Sequence, residues 1–386
     1  MVIQNRKNIP KGWKKRALQQ CVDIDLHSLS EKTADNKNFF YIDLSAVSNG
    51  HIMFPKAKVC FKDAPSRARR IIHKGDIIFS TVRPYLKGFA LVGFDSNDYI
   101  VSTGFSVLTA KNNFSSKYIY HYLFSENFQK QIFISLSGSS FPALNSKEVK
   151  GLSILIPISI AEQQKIVEVL ETWDKAIQLT RKLIEQKELQ EKYLMQQLFT
   201  GKTRLKGFTS PWKMKRIGLF KSIIIEKGKA LSSRDVEKGS IPVIAGGQAV
   251  PYHHKYWTHD FPCITISASG AYAGFVWFHS SKIWASDCNV IYTREYNLDF
   301  LYYCLKSQQN RLFYLQSGGA QAHMYPSEIR SIKVPDITLL EQQAIVRLFN
   351  INFQEIDLLR QKLSKLEEQK KGLMQVLLTG KIRFKI

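Results

Sequence analysis

The sequence predicts an α+β fold: two β-rich domains separated by two long helices that pair as an antiparallel coiled coil, with pseudo-two-fold symmetry. Three observations carry this expectation. A segment near the middle returns at the end without a gap, at an offset of 179. Glu162-Gln163-Gln164 comes back as Glu341-Gln342-Gln343, and Thr200-Gly201-Lys202 as Thr379-Gly380-Lys381. The repeated segments carry a heptad pattern that the blocks between them lack. Finally, the net charge of +23 lies mostly in those blocks: +11 in residues 1–155 and +8 in 206–335, against +1 in 156–205 and +3 in 336–386. A solenoid repeats every 20 to 50 residues or so, so this period marks instead a duplicated two-part unit.

The first block, residues 1–155, opens with Gly12-Trp13-Lys14-Lys15-Arg16. Residues 76–80 and 88–94 read as strands, apolar and bounded by Gly, Ser and Asn. Residues 116–134 read as one helix with a Tyr118/Tyr122 stripe, followed by the loop Ser137-Gly138-Ser139-Ser140. Those tyrosines, like Trp13 and Trp212, suit core packing better than base stacking.

The first long helix belongs to residues 156–205. Steps of four and three from Ile166 reach Leu170, Trp173, Ile177, Thr180, Ile184, Lys187, Glu191, Leu194 and Leu198. In the second copy, residues 336–386, the same steps reach Ile345, Phe349, Asn352, Ile356, Leu359, Leu363, Leu366, Lys370, Leu373 and Leu377. Apolar residues hold most positions, as an a/d seam requires. Pro157 and Pro335 precede the helices, and Gly201 and Gly380 follow them as C-terminal caps. Each helix should run for roughly 35 to 40 residues, about 55 to 60 Å. The obvious partner for such a seam is the other copy, packed antiparallel.

The second block, residues 206–335, opens with Pro211-Trp212-Lys213 and has strands at 263–267 and 274–278. It closes with a helix over 297–315 and the loop Ser317-Gly318-Gly319.

Composition narrows the function. Fifty-five Lys and Arg against 32 Asp and Glu predict a polyanionic partner, most often nucleic acid. No run of about 18 apolar residues suggests a membrane span, and the polar, basic N-terminus does not read as a secretory signal. Five scattered cysteines without a CxxC pair suit reduced thiols in a cytoplasm.

Apparent catalytic motifs fail on context. Gly201-Lys202-Thr203 lacks the P-loop's upstream glycine, Gln196 standing there, and follows a helix instead of a strand. Asp336, Glu368 and Lys370 mimic a metal-dependent nuclease, but Glu368 and Lys370 lie within the heptad helix. His253, His254, His259 and Cys263 form one loose group without the paired spacing of a structural zinc site.

Recognition chemistry remains. Arg67, Arg69, Arg70, Arg83, Lys87 and Lys255 are expected to hold phosphates or bases. Tyr85, Gln248, His253, Ser267, Ser269 and Gln321 are expected near the groove, with Ser139 and Ser140 offering small side chains and backbone N–H groups to a phosphate.

The alternation of basic blocks with helices that begin Ala161-Glu162-Gln163-Gln164-Lys165-Ile166-Val167 and Leu340-Glu341-Gln342-Gln343-Ala344-Ile345-Val346 resembles the specificity subunit of type I restriction-modification systems. Each helix also ends Leu-Met-x-x-Leu-(Phe/Leu)-Thr-Gly-Lys. Gly75-Asp76-Ile77-Ile78 with Arg83-Pro84 is similar to one class of that family's target-recognition domains. Ile241-Pro242-Val243-Ile244 with Ser269-Gly270-Ala271-Tyr272-Ala273-Gly274 is similar to another.

The resemblance implies a non-catalytic DNA-binding subunit that reads a bipartite asymmetric site, with its helix pair as spacer. It implies two modification subunits that methylate adenine, with or without restriction subunits. S-adenosylmethionine, ATP and Mg²⁺ then belong to the partners, and this chain binds no cofactor. Glu162, Gln163, Ile166, Leu170, Trp173, Ile177, Glu341, Gln342, Ile345, Phe349, Ile356 and Leu363 are expected to serve the helix pair and subunit docking. A cytoplasmic, nucleoid-associated place in a bacterium or archaeon follows from the same resemblance. The alternatives are a self-contained metal-dependent nuclease and an RNA-binding coiled-coil scaffold.

Overall fold

The computed structural model describes residues 9–136, 142–315 and 322–384. The chain forms two compact units, and each draws on both long helices. Unit 1 comprises residues up to Thr180 together with Lys362 onward; unit 2 is Arg181–Gln361.

In unit 1 the strands are β1 (Trp13–Ala17), β2 (Val22–Ile24), β3 (Asn38–Ile42), β4 (Val47–Ser48), β5 (His51–Ile52) and β6 (Val59–Cys60). They continue with β7 (Ala68–Ile71), β8 (Ile77–Ser80), β9 (Phe89–Leu91), β10 (Tyr99–Ser102), β11 (Phe105–Ala110) and β12 (Ser153–Pro157). Short helices α1 (Leu18–Cys21), α2 (Ser116–Leu123), α3 (Glu126–Leu136) and α4 (Ser146–Gly151) lead to the long α5 (Ile160–Phe199).

Unit 2 holds β13 (Lys213–Arg216), β14 (Ile223–Lys227), β15 (Ile241–Ile244), β16 (His253–His254) and β17 (Cys263–Ser267). It then holds β18 (Val276–His279), β19 (Trp284–Ala285), β20 (Cys288–Thr293) and β21 (Lys333–Asp336). Its helices are α6 (Leu298–Ser307), α7 (Gln309–Tyr314), α8 (Pro326–Ser331) and the long α9 (Leu339–Leu377).

The two units follow one plan that their sequences conceal. Unit 1 has a sheet in the order β2-β11-β8-β9, and unit 2 has β14-β20-β17-β18. A two-stranded ribbon closes each block, β1 with β12 and β13 with β21, both antiparallel. Each block's last strand runs directly into a long helix.

Both long helices match the expected length, at 40 and 39 residues. Gly201 and Gly380 take φ of +72° and +67° just past their ends, the left-handed backbone that glycine adopts without a Cβ clash. The seam is buried as the heptads require. In unit 1, Ile166 and Leu170 share a core with Leu373 and Leu377; in unit 2, Leu194 and Leu198 share one with Ile345 and Phe349. Early residues of α5 meet late residues of α9, and late meet early, so the pairing is antiparallel within each unit. Burying such a Leu, Ile or Phe contributes about 1.5–3 kcal/mol each.

Both seam lysines find partners: Lys370 binds Asp174 in unit 1, and Lys187 binds Glu355 at 2.8 Å in unit 2. Tyr118, Tyr122 and Trp13 are core residues of unit 1.

The helix expected over 116–134 is instead two. Ser125 accepts the Phe128 N–H at 3.3 Å and starts α3 afresh, because a serine hydroxyl competes for the backbone bonds that would continue a helix. The helix over 297–315 also divides, at Gln308. The Ser-Gly loops, with Ser139, Ser140 and Gln321, lie outside the described residues.

Candidate nucleic-acid interface

The repeated Glu-Gln-Gln has a structural task. Glu162 is buried and accepts from the Trp13 indole at 3.2 Å and from Arg383 at 2.9 and 2.8 Å. Glu341 accepts from Trp212 at 3.0 Å and from Arg204 at 2.9 and 2.6 Å. Gln163 accepts the Ser115 N–H, and Gln342 the Asn297 N–H, each at 2.8 Å, so both glutamines hold the start of a block helix. These four residues are buried, as are Ile166, Leu170, Ile177, Ile345, Phe349 and Ile356, while Trp173 and Leu363 are half-buried on the seam. All twelve lie at least half-buried along the seam or against a block.

In unit 1 the turn between β8 and β9 carries Arg83, Tyr85 and Lys87. Two neighbours fix its backbone. Arg83 N–H donates to Pro142 O at 2.7 Å, and Leu144 N–H donates to Thr81 O at 2.8 Å. On the other side Asn49 N–H donates to Lys87 O at 2.9 Å, which docks the β4–β5 turn beside it. Arg67 joins the same edge: Thr103 donates to Arg67 O at 2.8 Å, and Thr81 donates to Gly104 O at 2.9 Å. Arg67, Arg83 and Tyr85 are exposed, and Lys87 is half-buried. Arg83 and Lys87 have no acidic side chain within ion-pair distance among the described residues.

The other two arginines are engaged elsewhere. Arg70 pairs with Asp25 at 3.1 Å and reaches Ser28 at 3.3 Å, while Arg69 lies over the Phe61 ring at 4.7 Å. Strand alternation sets Arg70 against the amino-terminal segment, so these side chains are committed inside unit 1.

Unit 2 builds a comparable edge. Ser267 is buried, its hydroxyl donating to Gly246 O at 2.9 Å, and Ser269 is bound to the exposed Asp287 carboxylate. Gly270 N–H donates to Ala322 O at 3.0 Å, and Met324 N–H to Ala268 O at 2.9 Å. Gly246 permits this closeness, since a Cβ there would lie 2.8 Å from Ser269 O. Gln248 is exposed two residues further on.

His253 and Lys255 fall at the opposite end of β15, because His254 pairs with Ile241 while Ile244 leads to Gly246. The four residues of β15 separate the two ends, about 13 Å at 3.3 Å each. Lys255 pairs with Glu237 at 3.3 Å, and Tyr256 and Glu237 hold its ammonium above the ordinary lysine value.

Two of the clustered histidines have protein partners. His254 accepts the Glu237 N–H at 3.0 Å, His259 meets Glu226 at 2.8 Å, and burial pushes the Cys263 thiol up to about 12. No cluster of three metal-ligating side chains occurs among the described residues. Nor does any helix among them have the length and apolarity to cross a membrane. Tyr272, Asn49 and Asp287 also line these edges; the sequence singled none of them out as a binding residue, because none belongs to a basic cluster.

A family model described as "Type I restriction modification DNA specificity domain" matches residues 10–189 and again 209–368. The chain is 25% identical to a putative type I restriction enzyme MjaX specificity subunit of Methanocaldococcus jannaschii, over 98% of this chain and 95% of that protein. It is 30% identical to the type I restriction enzyme HindI specificity subunit of Haemophilus influenzae over a shorter stretch, 37% of this chain and 32% of that one.

Among solved structures, a chain from a study of type I restriction-modification complex assembly shares the fold with a TM-score of 0.67 at 21% identity. That likeness spans 97% of this chain and 99% of that chain. The type I S subunit from M. genitalium shares the fold with a TM-score of 0.62 at 18% identity, covering 98% of each chain. Two matches of one domain model, falling on two units with the same sheet order, agree on a single conclusion: the chain belongs to the type I restriction-modification DNA specificity domain family.

Proposed function

We propose that this specificity subunit reads a bipartite, asymmetric site in duplex DNA, one half with each unit, and directs adenine methylation by partner subunits. One observation carries the reading. The same sheet and the same hydrogen-bonded edge surround a tyrosine with different side chains in the two units: Arg83 and Lys87 beside Tyr85 in one, Ser269 and Gln248 with Tyr272 in the other. Base edges in the major groove are told apart by the donors and acceptors set against them. A common frame with unlike chemistry suits unlike half-sites, so the target should not be a palindrome. The paired helices would then act as the spacer.

Partner subunits have a surface to use. Leu183, Leu189, Tyr193, Ile351, Phe353 and Leu358 of unit 2 are exposed off the seam, where apolar patches mark association sites. We assign docking of two modification subunits to such positions, and of restriction subunits where the system has them. S-adenosylmethionine, ATP and Mg²⁺ belong to those partners, and the complex works on the nucleoid in a bacterial or archaeal cytoplasm.

The three residues of the nuclease reading do not share a unit. Lys370 is held by Asp174, Glu368 lies beside it in unit 1, and Asp336 belongs to unit 2, 3.5 Å from Lys215. Mapping methylated adenines genome-wide with and without this gene tests the proposal. One split, non-palindromic motif should lose its methylation, and loss at a palindrome or at no motif would overturn it. The purified chain with Mg²⁺ should leave a plasmid intact, and duplex DNA should outcompete structured RNA.

A further inference from the structure

The reading turns of the two units correspond residue by residue at an offset of 187, which is not the offset of the helices. Ser80 N–H donates to Gly88 O in unit 1, and Ser267 N–H to Phe275 O in unit 2, both at 3.0 Å. Leu86 donates to Arg83 O at 2.9 Å, and Ala273 to Gly270 O at 3.0 Å. Arg83 donates to Pro142 O, and Gly270 to Ala322 O. In this register Tyr85 falls on Tyr272, and their exposures are 44% and 45%. Neither phenol has a hydrogen-bond partner among the described residues.

The flanking positions differ in a telling way. Gly270 and Gly274 have φ of +80° and +89°; the matching Arg83 and Lys87 have +47° and +56°. Glycine adopts this backbone freely, whereas a Cβ makes it costly. Arg83 also precedes Pro84, a place that favours extended backbone. Unit 2 shows that two glycines build the same turn, so the arginine and lysine are not needed to form it. What they add is two cations with no acidic partner, one on each side of an exposed tyrosine.

We infer that Tyr85 and Tyr272 are equivalent base-contacting side chains at the tips of the two reading turns, and that Arg83 and Lys87 form a phosphate clamp peculiar to unit 1. This rests on the DNA-reading function proposed above. The clamp would give the first half-site a stronger dependence on salt than the second.

The test uses the full chain with its modification subunits and measures duplex binding against salt. Arg83→Gly with Lys87→Gly places glycine where the backbone already suits it, so the fold should hold. Arg83→Gln with Lys87→Gln removes the charge and keeps a flexible polar side chain. Either pair should flatten the slope of log K against log salt by about 1.8, at about 0.9 per phosphate contact. Tyr85→Ala and Tyr272→Ala should each weaken specific binding about tenfold or more, the scale of a base–aromatic contact, and leave the slope unchanged. An unaltered slope in both double variants would overturn the clamp. Unaltered affinity in either tyrosine variant would overturn the equivalence. If the wild-type complex binds no duplex specifically, the DNA-reading function falls, and this inference with it.

Discussion

Replacing Glu341 by alanine removes the group on which unit 2's block and helix bundle converge. Its side chain is 4% exposed, and one carboxylate oxygen accepts three bonds, two from Arg204 and one from Trp212. Removing one partner of a buried ion pair costs about 3–5 kcal/mol, because the other charge stays behind uncompensated. Arg204 is 21% exposed and keeps its bond to Ser210 O at 2.6 Å, which puts the expected loss at the low end, about 3 kcal/mol. Glu341→Gln keeps an oxygen but no charge and should lose about 1–2 kcal/mol. Trp212→Phe removes one neutral donor and should lose about 1 kcal/mol.

Amide exchange by mass spectrometry separates the units. Strands β13 and β21 should exchange about a hundredfold faster in Glu341→Ala, at about 1.4 kcal/mol per decade. The β1–β12 ribbon of unit 1 serves as the internal control. A change below about 0.5 kcal/mol in unit 2, or an equal change in both ribbons, would refute the reasoning.

Two further expectations concern unit 1. Burial holds the His121 imidazole down at about 3, with the Lys370 and Lys117 charges adding to the effect, while Asp174, 3.9 Å away, is already bound by Lys370. Because this lies below the unfolded value of 6.5, the unfolded chain takes up the proton first. The stabilisation is complete above that pH and drains away as pH falls toward 3, by about 1.4 kcal/mol at pH 5.5. Exchange in β1 and β12 at pH 7.5 and 5.5, corrected for intrinsic rates, should show it, and His121→Asn should abolish that dependence. The seam pair offers a second test. Asp174→Ala alone should cost about 2 kcal/mol by leaving Lys370 charged in the seam, whereas adding Lys370→Met should restore stability to within about 1 kcal/mol of wild type. Urea denaturation of the two variants and wild type, followed at unit 1 amides, measures both.

The long helices were readable from the sequence because their physics is local and periodic. A residue every three or four positions must be apolar to fill one seam, a glycine must follow the last turn, and burial at Ile166, Leu170, Ile345 and Phe349 obeys that pattern. Family and function were legible for the same reason, since the helix motifs recur in register and the charge lies between them.

The proposed interface was legible only in part. Arg83, Tyr85 and Lys87 stand together because they are consecutive in one turn, but Arg70 looked equally available and is bound to Asp25, 45 residues away in the chain. Lys255 and His253 were expected at the groove together with Gln248, yet strand pairing carries them to the other end of β15. The match of Tyr85 with Tyr272 was invisible, because the turns share a backbone path and almost no side chains. Periodic burial writes itself into sequence one residue at a time. Which loops share an edge depends on pairing between distant strands, and backbone hydrogen bonds make those pairs with little regard for the side chains they carry.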